Sequence, residues 1–189
     1  MGPTDRDRAA TPARYSFAAR LLHWVVAAFV IMLIPLGLYM VARGEATSFD
    51  ALTGDLYSLH KLLGFIVIWL IALRLLVRLT RRPPAPLATL TPFERIVSAS
   101  VHGLLYVLLI AVPLLGWAGV SSYPALNIFG LFDLPAILPA NEPLANRLFG
   151  VHGLLAQILG LLVLLHIAAA LMHRFVKRDG LMRRMWPLN

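Results

Sequence analysis

Four apolar stretches, each long enough to cross a bilayer, dominate this chain of 189 residues. They cover about residues 17–40, 56–76, 96–120 and 149–175. Crossing the ~30 Å hydrocarbon layer takes about 20 residues at ~1.5 Å rise each. Lipid offers the backbone no hydrogen-bond partner, so an isolated apolar span has to be a helix. The sequence therefore predicts an all-α membrane protein, an antiparallel bundle of four transmembrane helices with any cofactor space between facing helices. With 59% hydrophobic and only 14% charged residues, the chain leaves no room for a separate soluble domain.

The net charge of +8 is distributed by topology. Arg6, Arg8, Arg14 and Arg20 precede the first span; Arg74, Arg78, Arg81, Arg82 and Arg95 surround the second connection; Arg174, Lys177, Arg178, Arg183 and Arg184 follow the last span. The other two loops hold only Arg43, Lys61 and Arg147, beside Glu45, Asp50, Asp55, Asp133 and Glu142. This is the positive-inside pattern, and it predicts that both termini are cytoplasmic. The basic surplus is then topology plus contact with anionic lipid, not a nucleic-acid footprint. No cysteine is present, which excludes disulfides, iron–sulfur clusters, thiolate zinc sites and covalent haem attachment. The first span has a long polar lead and no clean small-residue cleavage site, so it is expected to be a helix of the bundle rather than a signal peptide.

Residues 1–13 are expected to be a mobile polar tail, 14–185 the four-helix domain and 186–189 a C-terminal tail. The segment 42–55 is expected to be a short acidic loop. The Pro-rich connector 81–95 cannot continue a helix. The long loop 121–148 is apolar enough to lie on the membrane or cover the bundle mouth, and a short interfacial helix is expected in it. No internal repeat stands out.

Imidazoles are the costly groups inside these spans. His152 and His166 lie fourteen residues apart on the fourth span. At 100° and ~1.5 Å per residue they share one face, about 21 Å apart in depth. Running each span as a ruler from its starting side pairs His60 with His152 on the outer side and His23 with His166 on the inner side. Two imidazoles on facing helices at one depth suit axial ligation of a haem iron. Basic groups stand near both levels as candidate propionate partners: Lys61 beside His60, and Arg20, Arg74 and Arg174 near the inner pair. Gly64, Gly153, Gly160, Ala168 and Ala169 would let a macrocycle approach the backbone. A lone intramembrane histidine also serves as an ordinary interhelical contact. That reading fits His102, which has no free depth partner, and His173, which can snorkel beside Arg174; His173 is also the rival ligand at the inner level. Zinc lacks a full donor set at either level. Trp24, Trp69 and Trp117 read as interface or packing aromatics.

The segments RYSFAARLLHW (14–24), LHKLLGFIVIWLIALRLLVRL (59–79), HGLLYVLLIAVPLLGW (102–117) and HGLLAQILGLLVLLHIAAALMHRFVKRDGLMRRM (152–185) resemble the bacterial cytochrome b561 family of di-haem membrane cytochromes. The resemblance covers nearly the whole chain after residue 13. It implies two non-covalent haem b groups, His23 and His166 holding the cytoplasmic-side haem and His60 and His152 the periplasmic-side haem. Many relatives have His-His where this chain has His173-Arg174. It also implies a bacterial inner-membrane protein passing electrons between a quinone pool, ubiquinone for example, and a one-electron donor or acceptor. Superoxide is one such donor, a periplasmic redox protein another. Two readings stand beside this one: a haem-bearing anchor subunit of a larger oxidoreductase, and a transporter using its histidines as a proton relay.

Overall fold

A computed structural model describes residues 13–186. Four long helices account for most of them: α1 (Phe17–Thr47), α2 (Ala51–Thr80), α3 (Pro92–Ser122) and α4 (Glu142–Met172). All four are long and apolar enough to cross a membrane. Most of the expected N-terminal tail, and 187–189 of the C-terminal one, lie outside the described residues.

The helices overrun the apolar stretches because polar caps, not hydropathy, set their ends. Asp50 caps α2, its carboxylate accepting the Thr53 N–H at 3.0 Å. Thr91 and Glu94 form a reciprocal capping box at the start of α3, followed by Pro92 in the first turn. Asn141 caps α4 through its side-chain oxygen, 3.0 Å from the Leu144 N–H. The expected acidic loop 42–55 is therefore almost wholly helical. Only residues 48–50 turn the chain, with Ser48 and Phe49 in the left-handed region at φ 52° and 63°. Arg43 closes this turn on Asp50 at 2.6 Å.

The long loop holds a two-stranded antiparallel ribbon, β1 (Asn127–Ile128) and β2 (Phe132–Asp133), in place of the expected interfacial helix. The Asn127 carbonyl oxygen of the side chain accepts the Gly130 N–H, and its amide donates to Asp133. These local bonds satisfy the polar backbone in a tight reversal, with Gly130 at φ 72°. Ile128 is fully buried, so the ribbon is anchored inward rather than lying free. Lys61 donates to the Ala125 and Asn127 carbonyls, and Trp117 Nε1 to the Pro135 carbonyl. The loop thus caps the ends of α2 and α3, as a cover over the bundle mouth requires.

The bundle is two hairpins. α1 packs chiefly on α2 and α3 on α4; α2 and α3 join them, while α1 and α4 touch only sparsely. The buried core is a thin layer between the hairpins: Val26 and Val30 of α1, Val67 and Ile71 of α2, Leu108 and Val112 of α3, Leu159 of α4. Large apolar side chains such as Trp69 and Leu164 stay exposed on the outside, which is tolerable for a surface that meets lipid. Beyond α4 a π-helical turn (His173–Lys177) and a short 3₁₀ turn (Met182–Arg184) fold back against the start of the chain. Buried Arg184 fastens them, donating to the carbonyls of Ala13 at 2.9 Å and Ala85 at 2.7 Å.

Candidate functional site

Two pairs of imidazoles face each other across the slit between the hairpins. On the ribbon side, His60 of α2 and His152 of α4 have ring centres 6.2 Å apart. On the side of the chain ends, His23 of α1 and His166 of α4 are also 6.2 Å apart. Two imidazoles trans on one metal, with metal–nitrogen bonds of about 2 Å, hold their ring centres about 6 Å apart. Both separations match that span.

The ribbon-side pair is seated on glycines of the neighbouring helix in each hairpin. A Cβ on Gly37 of α1 would stand 3.1 Å from His60 Cε1, and one on Gly116 of α3 would stand 3.1 Å from His152 Cε1. Neither seat was visible from spacing within the ligand helices, because each lies on the partner helix. His152 Nδ1 lies 2.8 Å from the Val112 carbonyl. As a donor to that oxygen Nδ1 carries the proton, which leaves Nε2 as the free lone pair that a metal needs. His60 Nδ1 is buried without a hydrogen-bond partner among the described residues. Gly64 and Gly153, one helical turn and one residue beyond the two histidines, have open space where a side chain would be. Gly160 instead packs toward Ile34 of α1, and Ala168 and Ala169 are exposed.

The level near the chain ends holds a third ring. His102 of α3 has its centre 5.3 Å from that of His166, edge to face, and its Nδ1 is 3.2 Å from the Ser98 hydroxyl. A depth ruler gives height along a helix but not the angle at which a neighbour presents its side chain, so this contact was not foreseen. Arg74 lies within electrostatic reach of both His23 and His166, with its guanidinium over the Tyr106 ring and one nitrogen 3.4 Å from the Ala19 carbonyl.

The other basic candidates are held elsewhere. Arg20 is buried and donates to the Trp186 carbonyl at 3.0 Å, with its Nε unpartnered among the described residues. Lys61 is engaged by the ribbon loop. Arg174 lies over the Phe175 ring beyond the end of α4. His173 does not snorkel. It is buried, with Nδ1 2.6 Å from Asp179 Oδ2, because the π-helical turn swings it under the returning chain. Trp24 donates to the Met185 carbonyl and Trp117 to that of Pro135, which fits aromatics at the rims of a membrane span. Among the described residues no three His, Cys, Asp or Glu side chains converge as a metal cage. The ribbon-side level offers two nitrogen donors, and at the other level His102 stands beside His23 and His166; among the described residues no acid or thiolate completes either set, which fits paired imidazoles better than a tetrahedral site.

A slit between helical hairpins, bordered by facing imidazoles at two depths, defines the class as a four-helix membrane cytochrome. The sequence matches the prokaryotic cytochrome b561 family over residues 14–188, and the chain belongs to that family. Cytochrome b561 homolog 2 of Escherichia coli is 31% identical over 176 residues, covering 93% of this chain and 92% of the relative. A probable superoxide oxidase of Yersinia pestis is 35% identical over 135 residues, 68% of this chain and 73% of the relative. Cytochrome b562 of Cereibacter sphaeroides is 29% identical over 173 residues, 87% and 89% of the two chains. Membership implies b-type haem, and makes this a bacterial transmembrane electron-transport protein.

Proposed function

We propose that residues 14–185 hold two non-covalent b-type haems, one between His60 and His152 and one between His23 and His166. The observation that carries this is the repeated 6.2 Å separation of two facing ring pairs, each with one member on each hairpin. His60 with His152, and His23 with His166, would hold such a group from both sides; when bound it would supply one-electron exchange, with no coordination position left for oxygen. The protein's own part is placement. His152 is fixed in one tautomer by the Val112 carbonyl, and Gly37 and Gly116 allow both ribbon-side rings to press on a neighbouring helix. Arg74, within electrostatic reach of both His23 and His166, suits a propionate there. The basic ends of the chain lie in the cytoplasm and the ribbon faces the periplasm of a bacterial inner membrane, as the charge distribution supports.

The activity we infer is electron exchange between a quinone in the membrane and a one-electron partner at the ribbon face. The relative named as a probable superoxide oxidase supports superoxide as that partner, and ubiquinone is the acceptor we propose. At the ribbon face Lys61 is turned into the loop carbonyls, and Arg147 is the exposed cation left to attract an anion. The test is purified protein exposed to a superoxide source. Haem absorbance should change to the reduced form within the mixing time and return when ubiquinone is added. Reduction by dithionite but not by superoxide would remove superoxide as the donor. Colourless, folded protein would remove the haem reading altogether.

A further inference from the structure

At the end of the bundle that carries both chain ends, the π-helical turn and the segment after it border an open cleft of about 350 Å³. Arg174, Arg178 and Arg183 line it, with His173, Asp179 and Gly180 between them. The one carboxylate in the wall is already engaged. Asp179 Oδ2 takes His173 Nδ1 at 2.6 Å, and its Oδ1 accepts the Leu181 N–H at 3.0 Å. Among the described residues none of the three arginines forms an ion pair with an acid. Arg178 uses Nε on the Phe175 carbonyl at 3.1 Å, and Arg174 rests on the Phe175 ring. Their terminal nitrogens remain for a ligand.

The wall is built rather than draped. Arg178 at φ 51° and Gly180 at φ 79° reverse the chain around the cleft. Arg184, 5% exposed, pins the far side to the Ala13 and Ala85 carbonyls. Phe175 and Val176, 63% and 77% exposed, lie in the π-helical turn between the lining residues Arg174 and Arg178. The geometry points to a binding site for a phosphate ester anion, presented by the headgroup of an anionic membrane lipid. Three arginine forks match phosphate oxygens, the volume lies in the range of a small-molecule site, and the exposed apolar flank is where acyl chains would lie. A free phosphate would meet the same guanidinium groups but make no use of that flank.

The experiment measures the thermal unfolding of the full-length protein in phosphatidylcholine vesicles, with and without phosphatidylglycerol, and separately with inorganic phosphate at matched ionic strength. Phosphatidylglycerol should raise the unfolding temperature. The combined variant Arg174→Gln, Arg178→Gln, Arg183→Gln should lose that rise, and Arg81→Gln with Arg82→Gln, on the neighbouring connector, should keep it. Apparent affinity for the lipid should fall about fivefold per arginine removed. Arg183→Gln alone, which removes no hydrogen bond found among the described residues, serves if the combined variant fails to fold. Stabilisation by inorganic phosphate alone, lost in the same variants, would support the site with a soluble source. The inference is overturned if neither anion stabilises the protein, or if the Arg81/Arg82 variant loses as much as the pocket variants.

Discussion

At the level of His60 and His152 two imidazoles face each other, each pressed on a glycine of the next helix. At the level of His23 and His166 no such glycine seat exists among the described residues, and His102 adds a third ring 5.3 Å from His166. The first level is over-determined: a carbonyl fixes one tautomer and two helix backbones leave the rings little room to turn. The second is held by softer means, through Arg74 stacked on Tyr106, Ser98 beside His102, and the ring contacts themselves. Close backbone contact fixes a ring more rigidly than side-chain neighbours do, so the two levels should respond differently to substitution.

The largest effect is expected from removing a facing imidazole. His152→Ala should take away about half of the haem absorbance per protein while the protein stays folded in detergent, since on the proposed reading it breaks one of two ligand pairs. Full absorbance in that variant would break the two-level comparison at its root. Filling a seat comes next. In Gly116→Leu the new Cβ begins 3.1 Å from His152 Cε1 and 3.2 Å from Nδ1, and the branched remainder must displace the ring. Overpacking of this kind costs about 1–3 kcal/mol. The ribbon-side haem should be lost or shifted in its spectrum, with the other unchanged. A uniform loss at both levels would mean the glycine serves the hairpin rather than the ring.

His102→Phe tests the softer level. It keeps a ring beside His166 but removes the nitrogens, so both haems should remain and one reduction potential should move. Loss of a haem would promote His102 to ligand and displace His23. The smallest effect concerns the rim beside the ribbon. The Asp50 carboxyl is held down from the ordinary 3.8 to about 2, by hydrogen bonds from the Thr53 hydroxyl and N–H first and by Arg43 after them. A depressed carboxyl stabilises the fold above its unfolded value and loses that contribution as pH falls from about 4 toward 2. Asp50→Asn, still a competent cap, should melt slightly below the parent at neutral pH and level with it near pH 2. A gap that widens in acid would show that the carboxylate is not the stabilising form.

The four spans were legible because lipid imposes one solution on an apolar run of that length. The heights of the histidines were legible because helical rise is nearly constant. What hydropathy cannot carry is the polar margin of each helix: Asp50, Thr91 and Asn141 begin α2, α3 and α4 several residues outside the apolar runs. The capping pattern of Thr91 and Glu94 was present in the letters and would have moved that boundary. The ribbon at Asn127–Asp133 rests on strands of two residues, too short for alternation to register. Contacts between helices were the least legible. Gly37 and Gly116 matter for rings on other helices, and the approach of His102 to His166 depends on rotation about the helix axes, which spacing along one chain does not fix. His173 showed the same gap: its depth suggested an interface ring, while the turn after α4 buried it against Asp179.

The thin apolar layer between the two histidine levels has a consequence for ion leakage. From residue 24 to 36, 62 to 73, 103 to 115 and 153 to 165 the helices carry no Asp, Glu, Lys, Arg or His. Leu159 sits midway between His152 and His166 and is 4% exposed, with Val67 and Ile71 facing it across the core at 3% and 2%. A proton hopping from ring to ring would find no acid, base or imidazole over that distance, where Tyr106 and Gln157 are the hydrogen-bonding side chains apart from Trp24 and Trp69. A bundle with such a layer is expected to insulate its two faces from each other for protons. On that expectation, a proton taken up or released by chemistry at one face exchanges with the water on that same face.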